Sequence, residues 1–242
     1  MKKKKHAATV WKGIGCVVFL FIALFPIYWL AAMSIRLTDE MKGHISVIPH
    51  SFTLEHFAQL FEREGFGQAI LNSAQTTLGS LVISLLVGIC AAYVIARRRF
   101  RFGFKQPMTY WVLLVRVLPP VAFVIPLYIM FNQLGLINTK VPVMLACVLI
   151  NVPLIIWFLL SFFQELPEEV EESAKMDGAT EWQLFRKIVL PLVAPGIAAV
   201  AMLSFMYAWN EYTYTVIFTR SSTNNTVPLA LALLNTEDNL TN

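Results

Sequence analysis

The chain is 242 residues long, 57% hydrophobic and 14% charged, with a formal net charge of +4. An ordinary soluble domain, in which about 25% of residues are charged, is excluded by that balance. The lysine run at the amino terminus is not followed by a basic, aromatic-rich soluble domain, which argues against nucleic acid as a partner.

Five segments carry the roughly 20 apolar residues that a helix needs to cross a bilayer, at about 14–35, 69–96, 107–131, 141–163 and 191–218. Lipid offers the backbone no hydrogen-bond partners, so these segments are predicted to be helices. Alternating barrel-type strands are absent, and the expected class is an all-α, polytopic membrane helix bundle, read as one domain over 1–242. Lys2 to Lys5 precede the first span. The lysines, the apolar core and Ala31-Ala32 also fit a cleaved secretory signal. The length of the apolar run, and Pro26, Tyr28 and Trp29 at its end, favour an uncleaved anchor.

Residues 36–68 form the predicted external segment, with Pro49 and a helix-like stripe of Leu54, Phe57, Leu60 and Phe61. That stripe lies on the membrane surface, beneath an external partner, or against its own protein. Arg97, Arg98, Arg99, Arg101 and Lys105 follow the second span, and Lys175, Arg186 and Lys187 lie between the fourth and fifth. This excess of positive charge places those loops and the amino terminus in the cytoplasm. Pro119-Pro120 and Pro126 break the third span and Pro153 interrupts the fourth, since proline removes a helical hydrogen bond. Kinked spans suit alternating access. Prolines are also common in membrane helices.

Arg116 in the third span, Asn151 in the fourth, and Asn210 and Glu211 in the fifth are the candidate translocation-path residues. Charges in hydrocarbon face a bundle interior or a partner, so Arg116 and Glu211 are also a candidate structural pair. Aromatics such as Tyr110, Trp157, Tyr207 and Trp209 are either interfacial belt residues or platforms for a sugar face. Cys16, Cys90 and Cys147 lie inside apolar segments and read as buried small hydrophobes. Neither these cysteines nor His6, His44, His50 and His56 have metal or disulfide spacing.

The loop 164–190 is the most specific feature. Pro167 opens a helix with Glu168 and Glu169 at its positive end. Gly178 is a predicted left-handed stop after Asp177. Thr180-Glu181-Trp182-Gln183 is a capping box, opening a second helix that carries Trp182, Phe185 and Val189 and ends near Pro191. Two short helices hinged at a glycine make a rigid knob suited to docking. No Gly-x-x-x-x-Gly-Lys loop exists and no nucleophile or paired-carboxylate grouping is seen, so the chain is read as non-enzymatic, with no cofactor of its own.

Glu172, Ser173, Ala174, Gly178, Ile188, Leu190 and Pro191 match the spacing of the EAA loop in permease subunits of bacterial ABC importers, with Ser173 in place of the first alanine. Asp177 and Ala179, flanking the glycine, resemble the carbohydrate branch that holds the maltose and glycerol-phosphate permeases. Asn72-Ser73, Pro119-Pro120 and Ala208-Trp209-Asn210-Glu211 extend the resemblance over most of the chain. It implies the MetI-like permease fold and a multi-pass place in the bacterial inner membrane, amid lipid. It also implies a translocation path for a sugar, oligosaccharide or polyol. Other solutes (amino acids, peptides, phosphate) and a non-transporting membrane protein are the alternatives. The implied partners are cytoplasmic ABC ATPase subunits that bind the ATP, a second homologous permease and an extracytoplasmic solute-binding protein. Family members usually have six spans, so the polar tail after Phe218 reads as a cut before the last one.

Overall fold

The computed structural model describes residues 2–41, 46–62, 65–97 and 105–240, with residues 2–11, 105, 106, 109, 113, 116 and 235–240 described by their backbone alone. They form two compact units, Met1–Glu64 and Gly65–Asn242.

The first unit holds α1 (Lys2–Ser34), α2 (Thr38–Met41) and α3 (Glu55–Glu62). The segment after α1 is tied to the helix end by polar contacts. Arg36 is fully buried, with its guanidinium 5.7 Å from the Trp29 ring centroid and its Nε 3.8 Å from Glu40 Oε1. It donates to the Ser46 carbonyl as well. Glu40 in turn accepts from the His50 and Ser51 amides at 3.1 and 3.0 Å and from the Ser51 hydroxyl. The Ser51 hydroxyl, followed by the His50 amide, holds the Glu40 carboxyl below its usual range. Of the predicted stripe, Phe57, Leu60 and Phe61 fall in α3, with Phe57 and Phe61 exposed, while Leu54 precedes the helix.

The second unit is built on α4 (Phe66–Ala96), α7 (Lys140–Glu165) and α10 (Leu190–Trp209). α4 lies along α7, and α10 packs on both. The buried face of α4 is Asn72, Ser73, Thr76, Thr77, Ser80, Ser84, Gly88 and Ala92, at helical spacing. Lipid tails are as apolar as a leucine, so membrane helices associate through close packing of small residues rather than through burial. Gly88 shows how close: a Cβ there would stand 2.6 Å from Ile155 Cγ2. The same logic corrects the expectation for the cysteines. Cys147 alone is buried, whereas Cys16 and Cys90 are exposed, because an apolar outer face holds a small hydrophobe equally well.

The third predicted span is divided into α5 (Lys105–Val117) and α6 (Val121–Gln133) by the Pro119–Pro120 pair. Adjacent prolines remove consecutive N–H groups, and the second bars the first from the helical region. Single prolines do less. α6 runs through Pro126 and α7 through Pro153, so the expected interruption of the fourth span does not occur.

The fifth predicted span differs at both ends. Instead of starting at Pro191, the helix runs continuously from α9 (Glu181–Leu184) through a π-helical turn (Phe185–Val189) into α10. Leu190 N–H reaches back five residues to the Phe185 carbonyl. The helix continues past Pro191 as α6 does past Pro126 and α7 past Pro153, here with a wider turn just before the proline. At the other end the span breaks at Asn210–Tyr212 before α11 (Thr213–Phe218). A short 3₁₀ turn (Ser222–Asn224) and α12 (Val227–Leu240) follow. The segment between α11 and α12 is tied down by side chains from afar. Asn72 donates to the Thr223 and Asn225 carbonyls at 2.8 and 2.9 Å, and Ser73 Oγ accepts from Val227 N–H at 2.8 Å. Asn138 Oδ1 accepts from the Arg220 and Ser221 amides, both at 2.9 Å.

Candidate coupling segment and the polar residues of the spans

The knob predicted over 164–190 is present. α8 (Glu168–Met176) begins after Pro167 with Glu168, Glu169 and Glu171 in its first turn and ends with Lys175 in its last, matching the helix dipole at both ends. Gly178 adopts φ 84°. Its N–H bonds the Lys175 carbonyl at 2.9 Å, and Ala179 N–H bonds the Ala174 carbonyl at 3.0 Å, a Schellman closure of α8. Thr180 then caps α9: its Oγ1 accepts from Gln183 N–H at 3.3 Å while Gln183 Oε1 accepts from Thr180 N–H at 3.0 Å. Lys175 Nζ bridges the turn to Glu181 Oε1 at 2.5 Å.

The predicted residues fall on two faces of this element. Glu172, Ser173 and Asp177 are exposed beside Met176, which is 89% exposed. Ala174 is buried, and Ala179, Ile188 and Leu190 are half-buried around the same core. Pro191 is exposed on the outside of the helix. Ser173, the departure from the alanine pattern, donates to the Glu169 carbonyl at 2.8 Å, so its hydroxyl is satisfied within α8. Phe185 and Val189 are buried as their spacing predicts, but Trp182 is exposed.

Sequence reasoning missed what holds the knob. Glu171 Oε1 lies 2.6 Å from Arg97 Nε, with both side chains nearly sealed from solvent. Arg97 reads in the sequence as one of a basic run and Glu171 as one of an acidic run, so both pass for solvated charge. The available signal is register: Glu171 stands one helical turn before the buried Ala174, on the same face.

In the spans, Asn151, Asn210 and Glu211 line one cavity of about 250 Å³, together with Pro120, Cys147 and Tyr207. A neighbouring cavity of about 320 Å³ shares Pro120, Ile150 and Tyr207 with it and reaches Pro153. Asn151 is buried and donates to the Ser204 carbonyl at 3.3 Å, while its Oδ1 has no hydrogen-bond partner among the described residues. Asn210 donates to the Met206 carbonyl at 2.8 Å, a back-bond that helps end α10. Glu211 accepts from Tyr214 N–H at 3.0 Å and Thr215 N–H at 3.3 Å, capping α11. Tyr214, fully buried, donates to the Pro120 carbonyl at 3.0 Å, satisfying an acceptor at the break of the third span. Arg116 lies on α5, but its side chain is outside the described residues, and so is any pairing with Glu211.

The cap geometry makes a testable distinction. Glu211→Ala should lower stability by about 1 kcal/mol, the usual worth of a helix cap. Glu211→Gln keeps an acceptor oxygen and should recover most of it. Thermal unfolding in detergent measures both, and equal losses would contradict the cap.

Residues 84–240 match the family described as the inner membrane component of binding-protein-dependent transport systems. The chain belongs to that family. This permease is 34% identical over 225 residues to the trehalose transport system permease protein SugB of Mycobacterium tuberculosis, covering 93% of the chain and 81% of that protein. It is 30% identical to the diacetylchitobiose uptake system permease protein DasC of Streptomyces coelicolor, covering 97% and 84% of the two chains. With the arabinooligosaccharides transport system permease protein AraQ of Halalkalibacterium halodurans it shares 32% identity, again over 97% and 84%. Its fold superposes with a TM-score of 0.77 on a chain of a bacterial ABC transporter that imports alginate, at 21% identity, covering 98% of this permease and 82% of that chain. The expected kinship with ABC importer permeases, and the all-α polytopic fold, are both borne out. The permease is a multi-pass membrane protein.

Proposed function

We propose that this permease forms half of a translocation path for a sugar, oligosaccharide or polyol, and that residues 164–190 receive the push of a partner ATPase. The supporting observation for the solute class is the set of relatives, whose names state trehalose, diacetylchitobiose and arabinooligosaccharides as their cargo. Support for the coupling role comes from the closed Gly178 turn, which makes the two helices one stiff element that transmits force rather than bending. Glu172, Ser173 and Asp177 are exposed on that element where a partner can grip them. Ala174, Ala179, Ile188 and Leu190 root it in the bundle, and Pro191 follows on the outer face of the helix.

Lys175, Arg186 and Lys187 within the segment favour the cytoplasm for it, and Lys2 to Lys5 favour the same side for the amino terminus. ATP is bound and hydrolysed by the ATPase subunits, not by this chain. A second, homologous permease completes the path, and an extracytoplasmic solute-binding protein delivers the cargo; one solved structural neighbour is a complex with an alginate-loaded periplasmic protein. Within the spans, the cavity around Asn151, Asn210 and Glu211 is the candidate contact with a polyhydroxylated solute, having amide and carboxylate groups beside Tyr207.

The test is purification of the permease from its own host followed by reconstitution. An ATPase and a second permease should copurify. Proteoliposomes should take up radiolabelled trehalose, diacetylchitobiose or an arabinooligosaccharide when ATP and the binding protein are supplied. Uptake of an amino acid or phosphate instead would redirect the solute assignment, and absence of any ATPase would end the coupling one.

A further inference from the structure

Contacts from α8 and from the π-helical turn converge on the end of α4, at Tyr93 and at Arg97 just past it. On the α8 side, Glu171 Oε1 lies 2.6 Å from Arg97 Nε, and Tyr93 Oη donates to Glu171 Oε2 at 3.3 Å. On the far side of the Gly178 turn, the Phe185 ring of the π-helical turn stands 4.9 Å from the Tyr93 ring. Arg97 Nη1 also donates to the Leu166 carbonyl at 3.3 Å, where the segment leaves α7, and its guanidinium sits 5.9 Å from the Tyr93 ring centroid. Tyr93, Arg97 and Glu171 are each buried to within 5% of full enclosure.

Burying an ion pair is a poor way to gain stability, because desolvation offsets the attraction and apolar residues of similar volume do as well. What the pair provides is resistance to separation: drawing the carboxylate from the guanidinium strands two charges in a medium of low dielectric. An apolar contact slides; this one holds or breaks. The end of α4 therefore has no low-cost way to part from α8.

We propose that Arg97, Glu171 and Tyr93 form a latch that makes α4 move as one body with the coupling segment. A push received by the segment then reaches α4 directly, and through the close α4–α7 packing it reaches the rest of the bundle. The proposal rests on the reading of 164–190 as the segment an ATPase pushes. Arg97, Tyr93 and Glu171 are positioning residues in this scheme and need not touch the ATPase.

The first test reads the latch by distance. Cys90 is exposed on α4 and Glu169 is exposed on α8. Spin labels on Cys90 and on Glu169→Cys, in a chain with Cys16→Ala and Cys147→Ala, report their separation in the assembled transporter without nucleotide and with ATP and vanadate. One narrow separation, constant to within the ~2 Å of ordinary helix shifts, is expected. A larger change overturns the latch. The second test compares Glu171→Gln and Arg97→Gln with the exchange Arg97→Glu plus Glu171→Arg. Trehalose, diacetylchitobiose or arabinooligosaccharide uptake per ATP hydrolysed should fall about tenfold in the single variants, within the ~5–150-fold range of coupling free energies, and recover in the exchange. A purely structural pair would lower assembly and hydrolysis together and leave that ratio constant, which also overturns the latch. Should the single variants fail to assemble, the distance measurement still decides. A wild-type chain that copurifies with no ATPase defeats the docking reading instead, and labels that part defeat the latch.

Discussion

Valine in place of Gly178 is expected to uncouple ATP hydrolysis from solute uptake. Space is not the obstacle, since a Cβ at Gly178 would meet nothing within 4 Å. The obstacle is the φ of 84°, which a β-branched residue rarely adopts. Left-handed backbone costs an ordinary L-residue ~1–2 kcal/mol, and a branched one more. That matches the ~1 kcal/mol worth of the Thr180 cap that the turn positions, so the closure between α8 and α9 is expected to open. Gly178→Asn is the control, because asparagine tolerates this conformation, and it should couple nearly as wild type. The ratio of uptake to ATP hydrolysed in proteoliposomes is the readout. A valine variant with the wild-type ratio would refute the role given to the turn.

Gly88→Leu should have the larger effect on the folded protein itself. A Cβ at Gly88 would stand 2.6 Å from Ile155 Cγ2 and 2.9 Å from Ile155 Cβ, the stiff end of a branched side chain that is fully buried. Overpacking of this kind costs ~1–3 kcal/mol when the neighbours can yield, and α4 and α7 have little room to do so. Ile155→Ala alone should cost ~2–5 kcal/mol by leaving a cavity. Combined, the two should be markedly less harmful than their sum, because each relieves the other. Gly79 is the contrasting site: its Cβ would meet the flexible tip of Met144, so Gly79→Ala should be mild. Yield of monodisperse protein and thermal midpoint in detergent check all four variants. Additive losses at Gly88 and Ile155 would show that the contact is not what limits packing there.

The coupling segment was legible because its signals are local. A glycine stop, a Thr-to-Gln capping box and dipole-matched charges each act within a turn or two, and each appears in the structure where its residues predict. Span α4 and span α7 were legible for a similar reason, since length and apolarity alone set them. The fifth span departs from its sequence pattern at both ends. Pro191 reads as a boundary, but a single proline does not end this helix, which passes from a π-helical turn into α10. Asn210 and Glu211 read as polar residues inside a helix, but their side chains bond backbone groups and end one helix while capping the next. For the Arg97–Glu171 pair, register hints that Glu171 is buried but not which residue it meets, and the Asn72 anchor of the segment after α11 has its partners equally remote in the chain. Asn72 reaches carbonyls 151 and 153 residues away, and nothing in the neighbourhood of either residue announces it.

The π-helical turn at Phe185–Val189 amounts to one surplus residue threaded between the Gly178 corner and α10. Deleting it would tighten the ladder to ordinary α-helix and rotate Thr180 to Leu184 by about 100° around the axis of α10. Phe185 would swing away from Tyr93, and the exposed acidic face would aim elsewhere. The bearing of the whole peg relative to α10 is thus indexed by a single inserted amino acid.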